Sequence, residues 1–207
     1  MKWSATRAES FSADVHGRDH HTEAAIALDK NARITAIKVN TLANLGAYLS
    51  PFGSLVPTYN YAMMLVGPYS IPNVVADVTG VYTNTSPVDA YRGAGRPEAT
   101  FVVETLIDNA ANELGLDPSE LRSRNLVQPE QIPYQTPTGL VFDSGDFPAH
   151  FEKALERAQY FSFKERQQES LKQGKRRGIG ISNYVEACAI GPSAIAGVLG
   201  ADYGLWE

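Results

Sequence analysis

Apolar residues fall on alternate positions at Ala24, Ile26 and Leu28, and again at Ile37 and Val39 with Thr41 in the same register. Asp29, Lys30 and Asn31 separate the two runs with turn chemistry, so 22–28 and 33–43 are expected to form a β-hairpin. A third alternating run, 73–82, places Val74, Ala76 and Val78 on one face and predicts a further strand. The period then changes. Ala99, Val103, Leu106, Ala110 and Leu114 recur at helical spacing, Val102 and Ile107 widen the stripe, and Gly115 supplies a stop. Asp117-Pro118-Ser119-Glu120 has the form of a capped helix start, with the helix running to Asn125. Phe151, Ala154, Leu155 and Ala158 mark another helix, 162–172 a polar one, and Ile179, Ile181 and Val185 a strand over 178–189.

Two stretches interrupt these elements. Residues 50–72 carry Pro51, Gly53, Pro57, Gly67, Pro68 and Pro72 among Tyr59, Tyr61 and Tyr69, which predicts an irregular, aromatic-rich connection. Residues 128–146 hold Pro129, Pro133, Pro137, Gly139 and Gly145, a connection long enough to be functional or packed on a neighbouring domain. The expected class is α+β: a β-hairpin and mixed strands with two or three packed helices.

Composition narrows the function. The 207 residues, 43% hydrophobic and 20% charged, suffice for one globular domain or two small ones. A formal net charge of -5 argues against nonspecific nucleic-acid binding, so no nucleic-acid partner is expected. One cysteine, Cys188, leaves no internal disulfide and no cysteine-rich metal site, which fits a reducing compartment. No apolar run approaches the roughly 20 residues of a membrane span, and a cytoplasmic location is expected.

The densest chemistry lies in Ala90-Tyr91-Arg92-Gly93-Ala94-Gly95-Arg96-Pro97-Glu98. Gly93 and Gly95 permit positive φ and close approach to main-chain N–H groups. Pro97 suits the first helical position, which would aim the positive end of the following helix back at the loop, and Arg92 and Arg96 add charge. This pattern describes a cradle for an anion or an oxo group. A tight turn with solvated arginines accounts for the same residues equally well. Glu98 occupies the place of the third small residue of a dinucleotide fingerprint, and the lysine and hydroxyl of a P-loop are missing.

Other constellations are weaker. His16, His20 and His21 with Asp14 and Asp19 suggest a metal site, but Gly17 and the lack of helical period favour a solvated loop or a subunit contact. His150, Glu98 and Glu104 are expected to be structural. Ser182 and Ser193 have no base partner at a useful spacing, which argues against a hydrolase.

The set formed by Asp89-Ala90-Tyr91-Arg92-Gly93-Ala94-Gly95-Arg96-Pro97-Glu98-Ala99, Glu113-Leu114-Gly115-Leu116-Asp117-Pro118 and Arg124-Asn125-Leu126 resembles the molybdenum-binding large subunits of the xanthine dehydrogenase, aldehyde oxidase and aerobic carbon monoxide dehydrogenase family. Gln131-Ile132-Pro133-Tyr134, Thr138-Gly139, Phe142-Asp143-Ser144-Gly145 and Tyr184-Val185-Glu186-Ala187-Cys188 extend the similarity across essentially the whole chain. The resemblance implies that Tyr91, Arg92, Gly93, Ala94 and Gly95 bind the cofactor, molybdopterin cytosine dinucleotide, the arginine and backbone amides holding the metal's oxo ligands and the dithiolene. It implies hydroxylation of an aldehyde or heteroaromatic C–H with oxygen derived from water, electrons passing to iron–sulfur and FAD groups on partner chains. Carbon monoxide dehydrogenases carry a copper-binding cysteine in this loop. Gly93-Ala94-Gly95 has no sulfur, which argues against that substrate.

By the same resemblance, 186–191 leads toward the substrate side, making Ile190 and Gly191 pocket wall, with ordinary packing as the equal alternative. The family's general base, a glutamate near the far C-terminus, and a Gly-Gly-x-Phe-Gly segment lie outside this sequence, so no catalytic residue is expected within it. The implied organisation is 1–127 as part of the first molybdopterin-binding domain with cofactor loop 90–96, 128–177 as connection and helices, and 178–207 as the truncated start of a second molybdopterin-binding domain. Expected partners are the missing portions of the large subunit, an iron–sulfur subunit, an FAD subunit and a small-molecule substrate. A fragment of this kind would be inactive alone. The alternative is a noncatalytic interaction or truncated module whose strand edges require a partner.

Overall fold

The computed structural model describes residues 2–186. Ile190, Gly191, Cys188 and Ser193 lie outside the described residues, as does the end of the strand expected over 178–189.

The hairpin forms as the alternation requires. β1 (His20–Leu28) pairs antiparallel with β2 (Ile34–Gly46), His20 opposite Ala43 and Ile26 opposite Ile37. The turn is held by Asp29, whose Oδ1 accepts the N–H of both Asn31 and Arg33 at 2.8 Å, while Ala32 takes a φ of 58°. Ile37, Val39, Thr41 and Ala43 point to one face and are buried, with Lys38, Asn40 and Leu42 exposed between them. β3 (Val74–Tyr82) joins the other edge of β2 in parallel, giving the order β1-β2-β3.

A parallel pair requires a crossover, and residues 47–73 provide it. The stretch expected to be irregular holds a π-helical turn, Val56–Asn60, and a short helix α2 (Tyr61–Met63). Pro51, Tyr59 and Pro72 are exposed, but Tyr61, Leu65, Tyr69 and Ile71 are fully buried in the same core as Ile37 and Val39 of the sheet. Apolar surface without period still drives burial when the chain is laid across a sheet face.

α3 (Arg96–Leu114) packs on the same face through Ala99, Val103, Ile107, Ala110 and Ala111. Two expectations for its stripe change: Leu114 is exposed, and Glu104 takes a buried place among the apolar residues. α4 (Pro118–Asn125) follows, capped by Asp117 through the Ser119 N–H at 2.8 Å. The connection 128–146 contains a two-stranded ladder, β4 (Tyr134–Gln135) with β5 (Val141–Phe142), before α5 (Phe147–Arg157) and α6 (Phe163–Lys172). The N-terminal α1 (Arg7–Ala13) has no apolar stripe, and a reciprocal Thr6–Glu9 capping box marks its start. With six α-helices and mixed strands among the described residues, the fold is α+β.

The strand expected from 178 onward is absent over 178–186. Its backbone groups are taken by side chains instead of a ladder: the Asn183 N–H donates to Glu104 Oε2 at 2.9 Å and the Ile181 carbonyl accepts from Arg122 Nη2 at 3.3 Å.

Candidate cofactor site

Residues 83–90 follow β3, and loop 91–95 leads from them into α3 as two consecutive tight turns. The Ala94 N–H donates to the Tyr91 carbonyl at 2.7 Å and the Arg96 N–H to the Gly93 carbonyl at 3.1 Å. Gly93, Ala94 and Gly95 have φ values of 100, 46 and 90°. Turns of this kind bring successive N–H groups to one side, the geometry of an anion-binding concavity. Among the described residues, no protein acceptor takes the N–H of Arg92, Gly93 or Gly95. The Arg92 side chain is exposed, and no carboxylate among the described residues pairs with it. Free donors beside an uncommitted guanidinium suit the oxo and phosphate oxygens of a molybdopterin cofactor.

Four details of the expected cradle are corrected. The glycines make room for the protein's own chain: a Cβ on Gly95 would overlap the Val56 carbonyl oxygen, and one on Gly93 would stand 2.5 Å from Pro97 Cγ. The Ala94 N–H is consumed within the loop. Arg96 turns inward, its Nη1 donating to the Gly93 carbonyl at 3.0 Å and its Nε lying 3.4 Å from Glu186 Oε2, so its charge braces the loop instead of facing a ligand. α3 also begins at Arg96, which makes Pro97 its second residue, still in the turn whose N–H groups lack intrahelical acceptors.

The stretch around His16 and Gly17, expected to be a solvated loop or a subunit contact, is pinned against this site. The His16 N–H donates to the Pro87 carbonyl at 2.9 Å and the Asp89 N–H to the His16 carbonyl at 2.7 Å. Gly17 lies so close to Tyr91 that a Cβ would stand 2.6 Å from the tyrosine Cβ. Arg18, at φ 61°, stacks its guanidinium 4.4 Å from the Tyr91 ring centroid, donates through Nη2 to the Arg92 carbonyl, and pairs with Glu98 at 3.6 Å. Hydrophobic period carries no trace of this contact across some seventy residues of sequence. The small residue at 17 followed by a cation is the one local signal.

A cavity of about 580 Å³ opens beside the loop between β1 and α3, lined by Arg18, His20, Thr22, Glu98, Phe101 and Asn109 among others. His20 sets its ring edge-on to Tyr61 at 4.7 Å, and burial pushes its pKa down against the opposing pull of Glu98 and Asp19. Burial thereby disfavours the charged imidazole. His16 turns its ring nitrogen toward the Phe11 carbonyl, and among the described residues no cluster of three or more His, Cys, Asp or Glu could hold a metal ion. His150 and Ser182 line a separate cavity of about 230 Å³, and no hydrogen bond joins them.

Behind the site, Glu104 and Arg122 form a buried centre. Arg122 Nε and Nη2 reach Glu104 Oε2 at 2.9 and 2.8 Å, Nη1 reaches Asp108 at 2.7 Å, and Tyr69 donates its hydroxyl to Glu104 Oε1 at 2.5 Å. Burial, then the charge of Glu104, pushes the Tyr69 phenol well above its ordinary value. Burial opposes the charge on Arg122, yet Glu104 holds its pKa raised. The structural role expected for Glu104 is met by this pairing.

The molybdopterin cofactor-binding domain model matches residues 1–126. The chain is 34% identical over 96% of its length to the gamma subunit of the 6-hydroxypseudooxynicotine dehydrogenase complex of Paenarthrobacter nicotinovorans, and 35% identical over 97% to the carbon monoxide dehydrogenase large chain of Afipia carboxidovorans. It spans about a quarter of each, 25% and 26%. Among solved structures, quinoline 2-oxidoreductase from Pseudomonas putida 86 superposes with a TM-score of 0.86 at 32% identity, covering 94% of this chain and 25% of that one. No helix among the described residues is long and apolar enough to cross a membrane. The chain belongs to the molybdopterin-binding family of the xanthine dehydrogenase, aldehyde oxidoreductase and carbon monoxide dehydrogenase large subunits.

Proposed function

We propose that this chain forms one wall of the molybdenum centre of a hydroxylase acting on an aldehyde or heteroaromatic C–H, with loop 91–95 holding the cofactor. The observation that carries this is the set of donors on Arg92, Gly93 and Gly95 left without a protein acceptor among the described residues, next to an exposed guanidinium. Bound there, molybdopterin in its cytosine dinucleotide form would supply oxygen transfer from water and accept two electrons. The residues of this chain bind and orient it: Arg92 by charge, the loop amides by direction. Electrons would leave through iron–sulfur and FAD groups on partner subunits. Relatives named for a nicotine derivative and for quinoline support the heteroaromatic side of the substrate class, and the sulfur-free loop supports a substrate other than carbon monoxide.

In this reading 1–127 is part of the first molybdopterin-binding domain, 128–177 its connection and helices, and 178–207 the start of the second, with Ile190 and Gly191 as pocket wall. The general base is supplied from elsewhere in the large subunit. Because the chain spans about a quarter of its relatives, the rest of the large subunit is needed to close the site. Metal analysis tests this: the 207-residue chain alone should retain little molybdenum, and addition of the remaining large-subunit portion should raise it toward one per chain. Stoichiometric molybdenum in the chain by itself would contradict the proposal.

A further inference from the structure

We propose that Arg18 is a positioning residue for the cofactor loop, fixing the direction of the Gly93 N–H through the carbonyl of Arg92. The inference rests on the reading of loop 91–95 as the cofactor contact.

The two hydrogen bonds inside the loop, Ala94 to Tyr91 and Arg96 to Gly93, leave the Arg92–Gly93 peptide unit without an internal restraint. That unit carries the Arg92 carbonyl and the Gly93 N–H on one rigid plane, pointing in opposite directions across a trans peptide. Whatever holds the carbonyl therefore aims the N–H. Arg18 Nη2 donates to that carbonyl from the far side of the loop. A cationic donor on a peptide oxygen also polarises the unit and makes its N–H a stronger donor.

The guanidinium is itself over-determined. Its Cζ lies over the ring of Tyr91, the residue that opens the loop, 4.4 Å from the centroid, and its charge is balanced by Glu98, whose side chain is 11% exposed, at 3.6 Å. Its backbone adopts a φ of 61°, a conformation uncommon outside glycine that persists where neighbours enforce it. The enforcing contacts are the pairing of His16 with Val88 and the close approach of Gly17 to Tyr91. Stacking and a directed N–H bond at once need a planar fork. Lysine provides a point charge and cannot do both.

Amide hydrogen exchange in the cofactor-free protein, and the molybdenum content and electron paramagnetic resonance g-values of the assembled enzyme, test this together. In Arg18→Ala the Ala94 and Arg96 amides should exchange about tenfold faster, with the amides of β1, β2 and β3 unchanged. The molybdenum g-values should shift as well. Arg18→Lys should lie between Arg18→Ala and the parent, and carries the test if the alanine variant does not accumulate. A merely structural role predicts faster exchange throughout the sheet and unaltered g-values.

Loop exchange within about twofold of the parent in both variants would overturn the proposal. So would a loosened loop with an unchanged molybdenum spectrum. Arg92→Ala separates this from the underlying reading. If Arg92→Ala lowers molybdenum while the Arg18 variants change nothing, the positioning role alone fails. If Arg92→Ala leaves molybdenum and g-values intact, the cofactor assignment of the loop fails first.

Discussion

The molecule contains two clusters built from arginine, glutamate and tyrosine, and they are disposed in opposite ways. Around Arg122, which is fully buried, Glu104 and Tyr69 are both engaged, and the Asn183 N–H and the Ile181 carbonyl complete the shell. Around Tyr91, Arg18 and Glu98 are paired, but Arg92 is exposed and three main-chain donors have no acceptor among the described residues. A buried cluster whose charged groups are all engaged fixes how α3, α4 and 181–183 meet. In the proposed reading, the open donors beside the exposed Arg92 are the ones that a cofactor would engage. Residue type does not distinguish the two clusters, whereas the engagement of their charged groups does.

The largest effect expected from breaking this contrast is at Arg122. Arg122→Met leaves the Glu104 carboxylate buried without its cation and should cost about 3–5 kcal/mol in urea unfolding. Adding Glu104→Gln should recover part of that loss, because no buried charge is then stranded. A loss below about 1 kcal/mol for Arg122→Met would show that the cluster is not the structural centre described.

Gly95→Ala comes next. It places a methyl group against the Val56 carbonyl at a backbone φ of 90°, and should destabilise by about 1–3 kcal/mol while reshaping the loop. An unfolding midpoint equal to the parent's would mean that the loop is free to refold around the substitution.

Tyr69 gives a smaller, pH-dependent effect. Its folded pKa is raised, first by burial and then by Glu104, so the folded state keeps the proton that the unfolded state loses above about pH 10. Stability from this group is complete below that pH and falls as pH rises through and beyond it. Tyr69→Phe should remove this component of the alkaline loss, and parallel curves for the two proteins above about pH 10 would exclude it.

Much of this was legible in the sequence because it depends on local period. β1, β2, β3 and α3 follow from alternation and from the stripe of Ala99, Val103, Ile107 and Ala110, and the cap at Asp117 from its neighbours. Tyr61 and Tyr69 were not recognisable as core because a crossover has no period; their burial comes from being laid on the sheet. Glu104 sits at a helical spacing shared with the apolar stripe, and its cation comes from another helix, so neither its burial nor its partner shows in sequence. The loop motif drew attention to Arg92 and the glycines. The inward turn of Arg96 and the reach of Arg18 across the site depend on tertiary contacts that spacing does not encode.

Arg92 has the smallest structural weight of the residues considered, and in the proposed reading of loop 91–95 the greatest functional weight. Arg92→Ala should change the unfolding free energy by less than about 0.5 kcal/mol, since its exposed side chain has no partner among the described residues. The most direct measurement is molybdenum per chain in the assembled enzyme carrying this substitution. A severalfold fall in metal with an unchanged unfolding midpoint is the predicted result. Full molybdenum occupancy and unaltered turnover would contradict the assignment of loop 91–95 to the cofactor.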